Sequence, residues 1–130
     1  MTAALVAILA PGCVKAPTAP SDERIALRVN EARDLPEFRL TFVEVESDSR
    51  CPVEAMCVWA GNATVIVTAQ LPFTKNIPPR LSLNSNLEPR SVGFAGMRIR
   101  LESLAPQPRI NPPIAPSEYI AHFTVARAVQ

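Results

Sequence analysis

Fourteen prolines spread over 130 residues, against four glycines, rule out most ways of building this chain from long helices. Proline lacks a backbone N–H and its ring clashes with the preceding helical turn, so it belongs in loops, strand edges and extended linkers. Between the prolines the apolar residues recur at every second position, the period of a strand. Ile25, Leu27 and Val29 alternate with Ala26, Arg28 and Asn30, and Phe38, Leu40 and Phe42 with Arg39 and Thr41. The phase then slips, because Val43 and Val45 are apolar between Glu44 and Glu46. A one-residue slip predicts a β-bulge near Phe42-Val43.

The same alternation runs on to the C-terminus. Ala63, Val65, Val67 and Ala69 share one face, with Thr64, Ile66 and Thr68 opposite. Leu81 with Leu83, then Val92 with Phe94, mark shorter strands. Met97, Ile99 and Leu101 against Arg98, Arg100 and Glu102 give the cleanest amphipathic strand, and Tyr119, Ala121, Phe123 and Val125 alternate with Ile120, His122 and Thr124. About seven short strands and no helical stretch predict one all-β domain over residues 24–130, an antiparallel β-sandwich or small barrel. With 5% aromatic residues, its core rests on Val, Ile, Leu and Ala. The segment from Pro106 to Pro116 holds five prolines and is expected to cross the surface as a long, stiff connection between the last two strands.

Charge excludes one large class of partner. Thirteen basic and twelve acidic side chains leave a net charge of +1 with no basic stripe, so no nucleic-acid partner is expected.

The N-terminus points outside the cytoplasm. Ala3 to Ala10 is an apolar run that spans only about 12 Å as a helix, too short to cross a bilayer but suited to a secretory signal. It ends at Pro11-Gly12-Cys13, and a small residue directly before a cysteine resembles the lipobox of bacterial lipoproteins. That resemblance implies a signal peptide over 1–12, a lipidated Cys13 as first mature residue, and a membrane partner held through the lipid. Ala10 stands where a lipobox usually has Leu, and Leu9 lies one place further back. An uncleaved or differently cleaved signal, or a buried apolar strand with an ordinary cysteine, are the alternatives. Residues 13–23 are small, polar and proline-bearing, as expected of a tether.

The remaining cysteines, Cys51 and Cys57, enclose five residues within Ser47–Gly61, a stretch that also holds the only tryptophan. In an exported protein, two close cysteines are expected to form a disulfide. Such a small ring constrains the unfolded chain by about 2 kcal/mol, so it shapes its loop more than it holds the fold. Trp59, two places after Cys57, is expected to pack beside the bridge and fasten the loop to the core. Arg50 is positioned to pair with Asp48 or Glu54, and Gly61 to mark a bend. A rigid loop carrying Arg50, Pro52, Val53 and Met56 is also a candidate surface for a protein partner.

Three sharper chemistries compete with a purely structural loop. Cys51, Met56, Cys57 and His122 form a soft ligand set for a periplasmic metal-binding protein, although the cysteine spacing is not that of a zinc site. A redox centre would want two residues between the cysteines. An inhibitor of an envelope hydrolase, acting through loop 50–57, is a special case of partner binding. No catalytic residue, cofactor or metal is assigned: His122 has no evident nucleophile partner, and Glu44, Glu46, Asp48 and Glu54 cluster only loosely.

Asp48-Ser49-Arg50-Cys51-Pro52, four residues, then Cys57-Val58-Trp59-Ala60-Gly61 resembles a motif of small bacterial lipoproteins and secreted proteins without an assigned function. Leu104-Ala105-Pro106-Gln107-Pro108 and Pro116-Ser117-Glu118-Tyr119 resemble the C-terminal half of the same group. The resemblance implies a cell-envelope protein with a β-rich domain and carries over no catalytic or ligand residue. The expectation is a non-enzymatic, lipid-anchored interaction or structural module.

Overall fold

A computed structural model describes residues 22–128, together with the isolated residues 4 and 12. The expected signal over 1–12, apart from residues 4 and 12, and the expected lipidation site Cys13 therefore lie outside the described residues, as does most of the expected tether. Glu23, assigned to the tether, opens the first strand. The elements of the described residues are β1 (Glu23–Arg28), β2 (Ala32–Asp34), β3 (Arg39–Asp48), β4 (Ala63–Gln70), β5 (Arg80–Asn84), β6 (Ser91–Phe94), β7 (Met97–Ala105) and β8 (Ile120–Arg127), with a 3-10 turn at Pro116–Glu118. They form two antiparallel four-stranded sheets, ordered β1-β8-β7-β6 and β2-β3-β4-β5. Of the two expected architectures, this is the sandwich.

The alternation explains the packing. Ala63, Val65, Val67 and Ala69 of β4 are fully buried and meet Leu27, Ile99, Leu101, Ala121 and Phe123 of the opposite sheet. Phe42 and Phe123 cross edge to face at 6.3 Å between the layers, and Phe38 does the same with Phe94 at 5.3 Å. Such aromatic pairs contribute about 1 kcal/mol each beyond their buried area. No polar or charged residue is fully buried among the described residues.

The expected bulge is present: the β3–β4 register skips Val43 between Phe42 and Glu44. Two further shifts, at Glu46 and at Glu102, bend β3 and β7. The shifts at Val43 and Glu102 let an apolar series continue on the inner face after an extra residue, and the one at Glu46 sets Asp48 opposite Ala63. Ile66 is the exception to alternation, buried on the outer face of β4. Glu44 stands opposite Ile66 and Arg80 opposite Thr68, so their 2.8 Å ion pair crosses β4 above it. Long charged side chains often cover apolar surface in this way.

Chain direction gives the sandwich two distinct ends. One carries the β3–β4 and β7–β8 connections, and the other carries the β2–β3, β4–β5 and β6–β7 connections. The tight β6–β7 turn at Ala95 and Gly96 has φ of 52° and 75°, the left-handed pair that matches strand twist in a two-residue hairpin.

Candidate functional site: the disulfide loop and its proline-rich partner

The connection from β3 to β4 is a ladder that continues past the strands and ends in a ring. Ser49 N donates to Asn62 O at 2.8 Å and Cys51 N to Ala60 O at 3.3 Å. Beyond them the Cys51–Cys57 disulfide closes the tip, and Ala55 N turns back to Pro52 O at 3.0 Å. Gly61 makes the neck possible. Its φ is +70°, and a Cβ there would run into the backbone of Ser49 and Arg50. No L side chain fits that position without moving the chain.

Arg50 is the centre of the arrangement. Its guanidinium is mostly buried and forks onto the Asp48 carboxylate, with both nitrogen–oxygen distances at 2.8 Å. The same group donates to the Leu104 carbonyl at 2.7 Å and the Pro106 carbonyl at 3.2 Å. Tyr119 Oη completes the set, donating to Asp48 Oδ2 at 2.9 Å. A planar fork with several donors suits this task better than a lysine would.

Titration follows from that geometry. Burial works to raise the Asp48 pKa, but the hydrogen bonds from Arg50 and Tyr119 and the attraction of the guanidinium outweigh it. The carboxyl is held below its ordinary value. Burial, then the hydrogen bond to an anionic partner, push the Tyr119 hydroxyl up to about 12.

The proline-rich connection is thus more than a surface strap. Pro108 is buried, its carbonyl accepts from Val53 N at 2.9 Å, and Ile110 N donates to Glu54 Oε2 at 2.8 Å. Arg109 reaches Glu118 at 2.7 Å and the Pro112 carbonyl also at 2.7 Å, folding the segment back on itself. The Ala115 amide and then Arg109 hold the Glu118 pKa below its ordinary value. The three segments that carry the motif resemblance therefore converge at one end of the sandwich, around Arg50.

A second polar net ties the neck to the loop after β5. Asn62 Nδ2 donates to Asn84 Oδ1 at 3.0 Å, and Asn62 Oδ1 accepts from the amides of Asn86 and Leu87 at 2.9 and 3.1 Å. Ser85 Oγ accepts from Ala63 N at 2.9 Å. None of this was signalled by residue spacing, because the partners are backbone groups and asparagines more than twenty positions apart.

Two expectations need correction. Trp59 does not pack beside the bridge: it is 82% exposed, and residues 57–60 form no strand that would hold Trp59 and Cys57 on one face. Arg50, expected on the partner surface, is mostly buried and spends its guanidinium on Asp48 and two carbonyls within the fold. Pro52 is half-buried, whereas Val53 is 66% and Met56 fully exposed. Val58 joins them at 91%. Trp59 and the exposed Leu87 also border a cleft of about 250 Å³ floored by Gly61 and Asn62. The soft ligand set is not assembled, since both sulfurs are consumed by their mutual bond and His122 lies exposed on β8. Among the described residues no group of three or more His, Cys, Asp or Glu is placed to hold a metal ion.

No family model, no curated protein and no solved structure matches this chain.

Proposed function

We propose that this chain is a lipid-anchored interaction module of the bacterial cell envelope, non-catalytic, which binds another envelope protein through the tip of its disulfide loop. One observation carries the reading. A loop held by a disulfide, a continued ladder, Arg50 and Asn62 nevertheless turns Val53, Met56, Val58 and Trp59 to solvent. Several large apolar side chains left in water on one short loop are a feature of interaction sites. A loop already fixed in shape loses little conformational entropy when it docks, which favours affinity. Tryptophan and methionine are enriched at such contacts. The partner chemistry is an apolar pocket wide enough for an indole. Anchoring rests on the lipobox resemblance at Cys13, and the bridged cysteines suit an oxidising compartment.

The test places a photo-crosslinking residue at position 59 or 122 of the full chain in its native cells. Crosslinking to one defined protein from 59, absent from 122 and lost with Met56→Ala/Val58→Ala, supports the reading. Equal crosslinking from both positions, or none from 59, overturns it. Intact mass supplies the anchor: Cys13 must carry acyl chains.

A further inference from the structure

We infer that the end of the sandwich opposite the disulfide loop faces the bilayer, with Phe73 and Ile77 entering the lipid interface and Lys75 meeting lipid phosphates. The inference rests on the anchor reading and adds an orientation to it.

Strand direction comes first. Glu23 pairs with Val125 at the end of β8, and Ala128 N donates to Gly96 O at 3.0 Å. The chain therefore enters the domain at the end that carries the β4–β5 loop, not at the disulfide end. Cys13 lies ten positions before Glu23, and a stretch of that length reaches at most about 35 Å. A lipid on Cys13 keeps this end close to the membrane.

The β4–β5 loop has the chemistry for that surface. Gln70 Nε2 donates to Thr74 Oγ1 at 2.6 Å and to the Thr74 carbonyl at 3.2 Å, and Thr74 Oγ1 donates to the Leu71 carbonyl at 3.0 Å. This pinned turn displays Phe73 with φ of 62°, a left-handed conformation that a bulky side chain rarely adopts. Phe73 is fully exposed, Ile77 is 94% exposed, and Leu71 is partly exposed beside them. Between Phe73 and Ile77 stands Lys75, the only lysine of the described residues, which joins none of their ion pairs. An aromatic and an aliphatic side chain flanking a flexible ammonium suit the boundary between headgroups and acyl chains. The nearby Asp34 carboxylate is occupied by Arg39 at 3.4 Å.

The test uses the full chain, purified from membranes and reconstituted in phosphatidylethanolamine–phosphatidylglycerol vesicles carrying brominated acyl chains. The native protein reports position 59. Trp59→Phe combined with Phe73→Trp, or with Ile77→Trp, moves the only indole to the opposite end, at positions too exposed to disturb the core. Bromolipid is expected to quench the indole at 73 or 77 at least threefold more than the one at 59, and acrylamide to do the reverse. Quenching at 59 instead, or equal weak quenching everywhere, with Cys13 acylated, overturns the orientation and leaves the anchor standing. Unacylated Cys13 overturns both. A blue-shifted indole at 73 without bromine quenching also overturns the inference: if concentration-dependent, a second copy covers the loop, and if not, the protein's own N-terminal segment does.

Discussion

The two ends of this sandwich both expose large apolar side chains, yet they are held in opposite ways. At the disulfide end, Trp59 and Met56 sit on a loop fastened by a covalent ring, a buried guanidinium and two sets of long-range hydrogen bonds. At the other end, Phe73 and Ile77 sit on a loop pinned by local bonds among Gln70, Leu71 and Thr74. Exposure alone therefore says little about mechanical role. The first end is integrated into the fold through residues hidden below its tip. The second can be altered with little consequence for the remainder.

Stability measurements separate the ends, and the largest effect belongs to Arg50. Arg50→Ala strips the part-buried Asp48 carboxylate of its guanidinium partner and removes the donor to two carbonyls, at a cost of about 3 kcal/mol. Urea unfolding should show the lowered midpoint. Arg50→Lys should recover only a minor part, because an ammonium cannot reproduce the fork. A loss under about 1 kcal/mol for Arg50→Ala would erase the contrast between the ends.

The pH dependence is intermediate in size and has two arms. Asp48 has a folded pKa below its unfolded value of 3.8, so its contribution is full above that value and is lost as pH falls through the folded pKa. Tyr119 is raised from 10.0 to about 12, so its contribution is full below pH 10 and is lost as pH climbs toward 12. Tyr119→Phe should remove the alkaline arm and cost about 1 kcal/mol at neutral pH, read from unfolding midpoints across pH. The smallest effect is expected at the other end. Phe73→Ser should change stability by no more than about 0.5 kcal/mol in the same assay, since the side chain touches only solvent in the isolated domain.

Much of the framework was legible because strand burial has a period of two. The Phe42–Val43 slip, the inner face of β4 and the outward His122 all follow from alternation. β2 was missed because three residues are too few to alternate. Ile66 lies on the outer face, where alternation places it, but its burial there was not legible, because its cover is an ion pair from neighbouring strands. In the loop, residue types identified the bridge but not the direction of Trp59. Extending strand geometry through Cys57 ignored that the ring interrupts pairing. Arg50 was legible as a partner of Asp48, yet its bonds to Leu104 and Pro106 go to carbonyls that every residue possesses. Only the motif resemblance, which grouped those distant segments, hinted that they meet.

The sheet borders have a consequence for behaviour at high density. The outermost strands are β1, β6, β2 and β5; β2 has three residues and β6 four. β1 presents Glu23, Arg24 and Arg28 along its length, and β5 opens on Arg80 directly after two prolines. Short, charged or proline-flanked borders give a neighbouring copy no long row of unpaired amides to extend. Crowded copies are thereby protected from growing into a continuous sheet, and lateral aggregation is disfavoured without any bulky shield.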